Sequence, residues 1–202
     1  MSVANLLPAA MTAAEFLAWN PQDSDRWELV DGSARAMAPA SPRHGAIQAE
    51  ASRLIGNHLA HHRPACSVMV EPDIQPKVRA NLNVRVPDLA VTCAPWGGDA
   101  PPLSDPVLVI EIHSPSDKAD TWANVWNYVT IPSVQEILVL HTTEMGADLL
   151  RRAADGIWPD NPSTLGAKND VMLDSIGFAV PLSQFYRTAG LVTPAAASSR
   201  TV

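Results

Sequence analysis

Two apolar runs constrain this chain most: Val107-Leu108-Val109-Ile110-Glu111-Ile112 and Glu136-Ile137-Leu138-Val139-Leu140. Runs of that length without polar alternation suit strands covered on both faces, as in parallel sheets. The segment around Thr121 to Tyr128 between them reads as a helix. Strand, helix and strand in succession predict a parallel pair with a right-handed crossover, so the chain is expected to be α/β. Further strands are predicted at residues 67–71, 73–75 and 87–93, with edge strands at 147–152 and 176–180 and a helical turn at 182–187.

Towards the N-terminus, Thr12-Ala13-Ala14-Glu15 has the form of a capping box opening a short helix, ended at Asn20-Pro21. Arg26-Trp27-Glu28-Leu29-Val30, Asp31-Gly32 and Ser33-Ala34-Arg35-Ala36-Met37 predict a hairpin. From His44 to His62, Ile47, Leu54, Ile55, His58 and Leu59 recur at helical spacing. One domain over residues 12–187 is expected, with a flexible stretch at 1–11 and a disordered tail at 188–202.

The chain has 202 residues, 47% hydrophobic and 17% charged, and is therefore globular in type. No apolar run is long enough to span a membrane, and the first residues lack the basic start and apolar stretch of a secretion signal. Cys66 and Cys93 lie at no metal-ligand spacing and read as two buried reduced thiols, which makes the cytoplasm the expected location. The net charge of −7, with only three lysines, argues against a broad basic face for wrapping duplex DNA. It leaves room for a local cleft whose charge is reversed by a bound cation.

Glu111 closes a run of apolar residues, where a lone ionised carboxylate would be very costly. Such a group is paired, protonated or bound to a cation. Asp88, after Pro87, opens the apolar run Leu89-Ala90-Val91. If the two strands are neighbours, both carboxylates reach one end of the sheet, and a divalent ion would relieve their repulsion. Hard oxygen ligands suit magnesium or manganese. The bland alternatives are a turn cap for Asp88 and a core ion pair, for instance with Arg85, for Glu111. Strand alternation sets His113 on the same face as Glu111, as a catalytic group or a satisfied structural one. His44 at the start of the long helix and Glu28 on the hairpin carry the same two readings. His58, His61 and His62 read as a solvated helix end, and Trp122 with Trp126 as a buried or dimer-facing pair.

Pro-Asp88, a gap of 22 residues, then Glu111-Ile112-His113 resembles the PD-(D/E)xK nuclease superfamily. The wider order of segments is similar to its Uma-type restriction endonuclease branch. Those segments are Glu28 to Gly32, Ala40 to His44, Val86 to Val91, Val109 to Ser116, Asp120, Tyr128 and Glu136 to Leu140. The resemblance implies a restriction-endonuclease-like mixed sheet flanked by helices. It also implies metal-dependent cleavage of nucleic-acid phosphodiesters, with Asp88 and Glu111 holding Mg or Mn, the Ile112 carbonyl as a further ligand, and DNA as partner. It places a catalytic lysine four residues before Tyr128, where this chain has Asn124. His113 or Lys118 would then have to supply the missing cation or base. The rival expectations are an inactive nuclease-fold binding module, dimeric in form, and a metal-dependent phosphoesterase acting on a small nucleotide.

Overall fold

The computed structural model describes residues 10–21, 23–95, 102–114 and 118–191. A central six-stranded sheet organises them. Its strands are β3 (Ser67–Val70), β4 (Leu89–Thr92), β5 (Pro106–His113), β6 (Glu136–His141), β7 (Gly146–Arg151) and β8 (Ser163–Gly166), side by side in that order. β5 and β6 pair in parallel, with Ile110 opposite Leu138, while the other neighbours are antiparallel. The sheet is thus mixed and flanked by helices, and the two apolar runs are its centre.

Both faces of those central strands are covered, which explains why they carry no polar alternation. Helix α2 (Pro42–His62) lays Ile47, Ala51, Ile55 and Leu59 against Leu108, Ile110, Ile112, Leu138 and Leu140. Helix α3 (Lys118–Tyr128) puts Val125 and Tyr128 against Val109, Ile137 and Val139 on the opposite face. Each fully buried Ile or Leu contributes about 1.5–3 kcal/mol by leaving water. Ser41 caps α2 by accepting from the His44 amide, and Pro42 occupies the first turn, where its missing N–H costs nothing.

Helix α1 (Ala13–Ala18) has the full Thr12–Glu15 capping box. The hairpin β1 (Trp27–Val30) and β2 (Ser33–Ala36) turns on Asp31 and Gly32, both at positive φ. It stands apart from the large sheet, joined at Leu29 to Val84 by an isolated bridge, over a small core of Met11, Ala13, Phe16, Leu29 and Val84.

Several expectations need correction. Residues 73–75 form only a bridge from Ile74 to Arg85. β7 is an interior strand, because β8 lies outside it. Residues 178–181 form β10 and pair with β9 (Asp170–Leu173) in a separate hairpin. The cysteines are bonded to each other, and the reduced-thiol reading fails. The antiparallel ladder sets Ser67 opposite Thr92, so one more step brings Cys66 and Cys93 face to face. This removes one of the grounds on which a cytoplasmic location was expected.

The terminal turn spans Leu182–Tyr186. Beyond it Ala189 is buried and Thr188 donates to Glu50, so these two tail residues pack on the domain. Residues 1–9, 192–202 and Gly97-Gly98 lie outside the described set. Among the described residues no helix is long and apolar enough to cross a membrane.

Candidate active site

The β4–β5 register places the carboxylates. Leu89 stands opposite Ile110, and one step further Asp88 meets Glu111 as a cross-strand pair. Both are 7% exposed. Asp88 is held at both oxygens: the Ile112 amide donates to Oδ2 at 2.6 Å, and His44 Nε2 lies 3.0 Å from Oδ1. His44 is delivered by the first turn of α2, directly after the Ser41 cap. Glu111 Oε1 accepts from the Tyr128 hydroxyl at 2.6 Å, so the last residue of α3 fixes the second carboxylate.

Burial, and after it the charge of Asp88, raises the Glu111 carboxyl well above its ordinary range, and the Tyr128 bond only partly opposes this. Burial followed by Glu111 likewise pushes the Tyr128 phenol well up, so it stays a donor. The two carboxyls cannot both be charged without repulsion, and the fold therefore favours keeping a proton on Glu111.

A cleft of about 760 Å³ opens over the pair. Its walls include Glu28, Arg35, Met37 and Pro39 from the hairpin and the segment after it, His44 from α2, and Asp120, Thr121 and Asn124 from α3. Glu28 is raised by burial, while Arg85, 3.5 Å from its Oε1, pulls the other way. The core ion pair foreseen between Arg85 and Glu111 is therefore formed between Arg85 and Glu28. Gln48 Nε2 donates to the Asp88 carbonyl and to Glu71, tying α2 to the end of β3.

The remaining residues singled out in the sequence are placed as follows. His113 shares the face of Glu111 but stacks on His141, with ring centroids 4.9 Å apart. Burial, then His141 and Lys118, lowers its pKa, so it is held neutral. His113 and Lys118 are not among the cleft's lining residues, whereas Asn124 is. His58 Nε2 donates to the Ile176 carbonyl and packs edge-on to Phe178, a structural role. Trp122, on α3, is half-buried against the core, and Trp126 is 47% exposed.

Glu71, Arg85 and Asp120 were not foreseen as cleft residues. The signal for Arg85 was available: a charged residue within the apolar stretch Val84-Arg85-Val86, three positions before Asp88.

Two carboxylates converge here, and among the described residues no group of three or more His, Cys, Asp or Glu side chains is arranged to hold a metal ion. The donor set nevertheless suits magnesium or manganese, which keep several waters and bind through one or two carboxylates together with substrate phosphates. Buried, mutually repelling oxygens fit that requirement.

Comparison with known proteins bears on the fold and the family. A crystal structure from Anabaena variabilis, described as "a putative nuclease belonging to DUF820", superposes with a TM-score of 0.71 at 18% identity, covering 88% of this chain and 98% of that one. That likeness shows the fold. The uncharacterized protein slr1290 of Synechocystis is 28% identical over 179 residues, 88% of this chain and 92% of the relative. The family Uma2, described as "Putative restriction endonuclease", matches residues 13–182, and the chain belongs to it.

Proposed function

We propose that the protein is a magnesium- or manganese-dependent nuclease that hydrolyses phosphodiesters in the cleft over Asp88 and Glu111. The observation that carries this is the buried cross-strand pair, with Glu111 raised by burial and by Asp88. Family membership and the nuclease-like fold support it.

A divalent ion bound there would act as a Lewis acid, acidifying water and neutralising charge on the phosphodiester. The chain's own residues do the rest. His44 and the Ile112 amide fix the two oxygens of Asp88, and Tyr128 fixes one oxygen of Glu111, so both carboxyl groups are held in place on the cleft without rotamer search. Met37 and Pro39 add an apolar part to one wall of the cleft. His113 and Lys118 take no step, because neither lines the cleft. DNA is the proposed substrate.

One observation favours a second reading, an inactive binding module. Asn124 faces the cleft where the family resemblance places a lysine, and a neutral amide supplies no charge to the transition state.

The test is a calorimetric titration of Mn²⁺ into wild type and Glu111→Gln, followed by plasmid and single-stranded DNA cleavage assays. One ion per wild-type chain, none in the variant, and cleavage lost in Glu111→Gln are the expected results. Cleavage that survives the substitution would remove the assignment. Metal binding without hydrolysis of any nucleic acid would leave the module.

A further inference from the structure

We propose that Arg85 is the phosphate clamp of this site: its guanidinium, on the cleft that the carboxylate pair also lines, grips a non-bridging oxygen of the phosphodiester and supplies the charge that Asn124 cannot. The inference deepens the nuclease reading and rests on it.

Arg85 is a rigidly held cation. Its backbone amide and carbonyl are both bonded to Ile74, at 2.8 and 2.9 Å, and the residue is only 5% exposed. A buried guanidinium has five N–H donors and ordinarily satisfies them, since each one left over costs about 1–3 kcal/mol. Here the satisfaction is partial. Nη2 donates to Asn83 Oδ1 at 3.1 Å, the contact from Nη1 to Glu28 is a long 3.5 Å, and Nε is buried with no acceptor among the described residues. Glu28 is equally incomplete, its Oε2 buried without a donor. The Arg85–Glu28 pair is thus loose on both sides, although both residues line the cleft.

Place matters as much as spare capacity. Arg85 lies three positions before Asp88 in the chain and lines the same cleft as Asp88, Glu111 and Asn124. A planar fork matches two phosphate oxygens, and charge gathers on those oxygens during phosphoryl transfer.

In the step itself the water oxygen bonds to phosphorus as the P–O bond to the leaving sugar oxygen breaks. One water proton passes to solvent, and the leaving oxygen takes one from solvent. Arg85 keeps its protons throughout and donates hydrogen bonds to the non-bridging oxygen. A purely structural Arg85 would serve only as counter-ion to Glu28.

The experiment compares full-length wild type with Arg85→Met, Arg85→Lys, Arg85→Met/Asn124→Lys and Arg85→Met/Glu28→Gln. The last variant leaves no unpaired carboxylate and so guards against a folding defect in Arg85→Met. Three quantities are read: Mn²⁺ affinity by calorimetry, steady-state cleavage of a single-stranded oligonucleotide in Mn²⁺, and affinity for the same oligonucleotide in Ca²⁺.

Arg85→Met and the Glu28-compensated double variant should lose about 100-fold in kcat, with KM shifted within about threefold and Mn²⁺ affinity unchanged or tightened. Lys at position 124 should restore about tenfold of it. Cleavage by the compensated double variant within about threefold of wild type would overturn the clamp and leave the nuclease reading standing. If wild type cleaves nothing, the nuclease reading falls; the clamp then stands only if Arg85→Met weakens oligonucleotide affinity in Ca²⁺ about tenfold, and falls if that affinity is unchanged.

Discussion

At the scale of the residue, the sharpest consequence lies in Glu111. Its ordinary carboxyl value is 4.5, and in the fold it is raised, first by burial and then by Asp88. Above pH 4.5 the unfolded chain releases this proton while the folded one keeps it, so the folded state binds more protons. Stability contributed by that proton is present at low pH and is lost as pH rises through the folded value. Urea unfolding in EDTA should therefore show wild type losing stability towards pH 8 relative to Glu111→Gln. At pH 8 the variant should be level with wild type or more stable by about 1 kcal/mol, and saturating Mn²⁺ should raise wild type alone. A loss of several kcal/mol in the metal-free variant would mean that a buried cation holds Glu111. Asp88 and Glu111 were legible in the sequence because charge inside an apolar run demands a partner. The identities of those partners were not, since Tyr128 and His44 reach the pair only through helix ends far away in the chain.

Among the elements, the central strands declared themselves by composition and the peripheral ones did not. β8, Ser163-Thr164-Leu165-Gly166, is an exposed edge strand with one apolar side chain, so it offers neither a hydrophobic run nor alternation. β9 buries only Val171 and Leu173, and its hairpin partner β10 was visible only as an isolated apolar stretch. The cysteine pair shows the same limit. Each thiol looks like a buried single residue until the β3–β4 register is known. With 27 positions between its ends, the cross-link stabilises by about 3–4 kcal/mol on chain-entropy grounds. Urea midpoints with and without reductant should differ by that amount. Two titratable thiols in unreduced, denatured protein would show the bond to be absent.

For the molecule as a whole, charge distribution governs how nucleic acid is met. The net charge is −7, and the cleft lining brings in Arg26, Arg35 and Arg85 against Asp25, Glu28, Glu71, Asp88, Glu111 and Asp120. Arg26 is already engaged with Asp73 at 2.7 Å. Few phosphates can be neutralised by side chains alone. Oligonucleotide affinity in Ca²⁺, measured from 50 to 200 mM salt, should therefore fall with a log–log slope of about −2, that of two or three phosphate contacts. A slope steeper than about −6 would reveal a basic face that the described residues do not show. The wall that carries Glu28 and Arg35 belongs to the β1–β2 hairpin, which is joined to the rest of the domain by the Leu29–Val84 bridge and the Glu28–Arg85 and Asp31–Arg79 pairs and takes no place in the six-stranded ladder. Residues can be inserted or exchanged there without shifting the register that aligns Asp88 with Glu111. A lineage built on this plan can revise what is admitted while leaving untouched what is done to it.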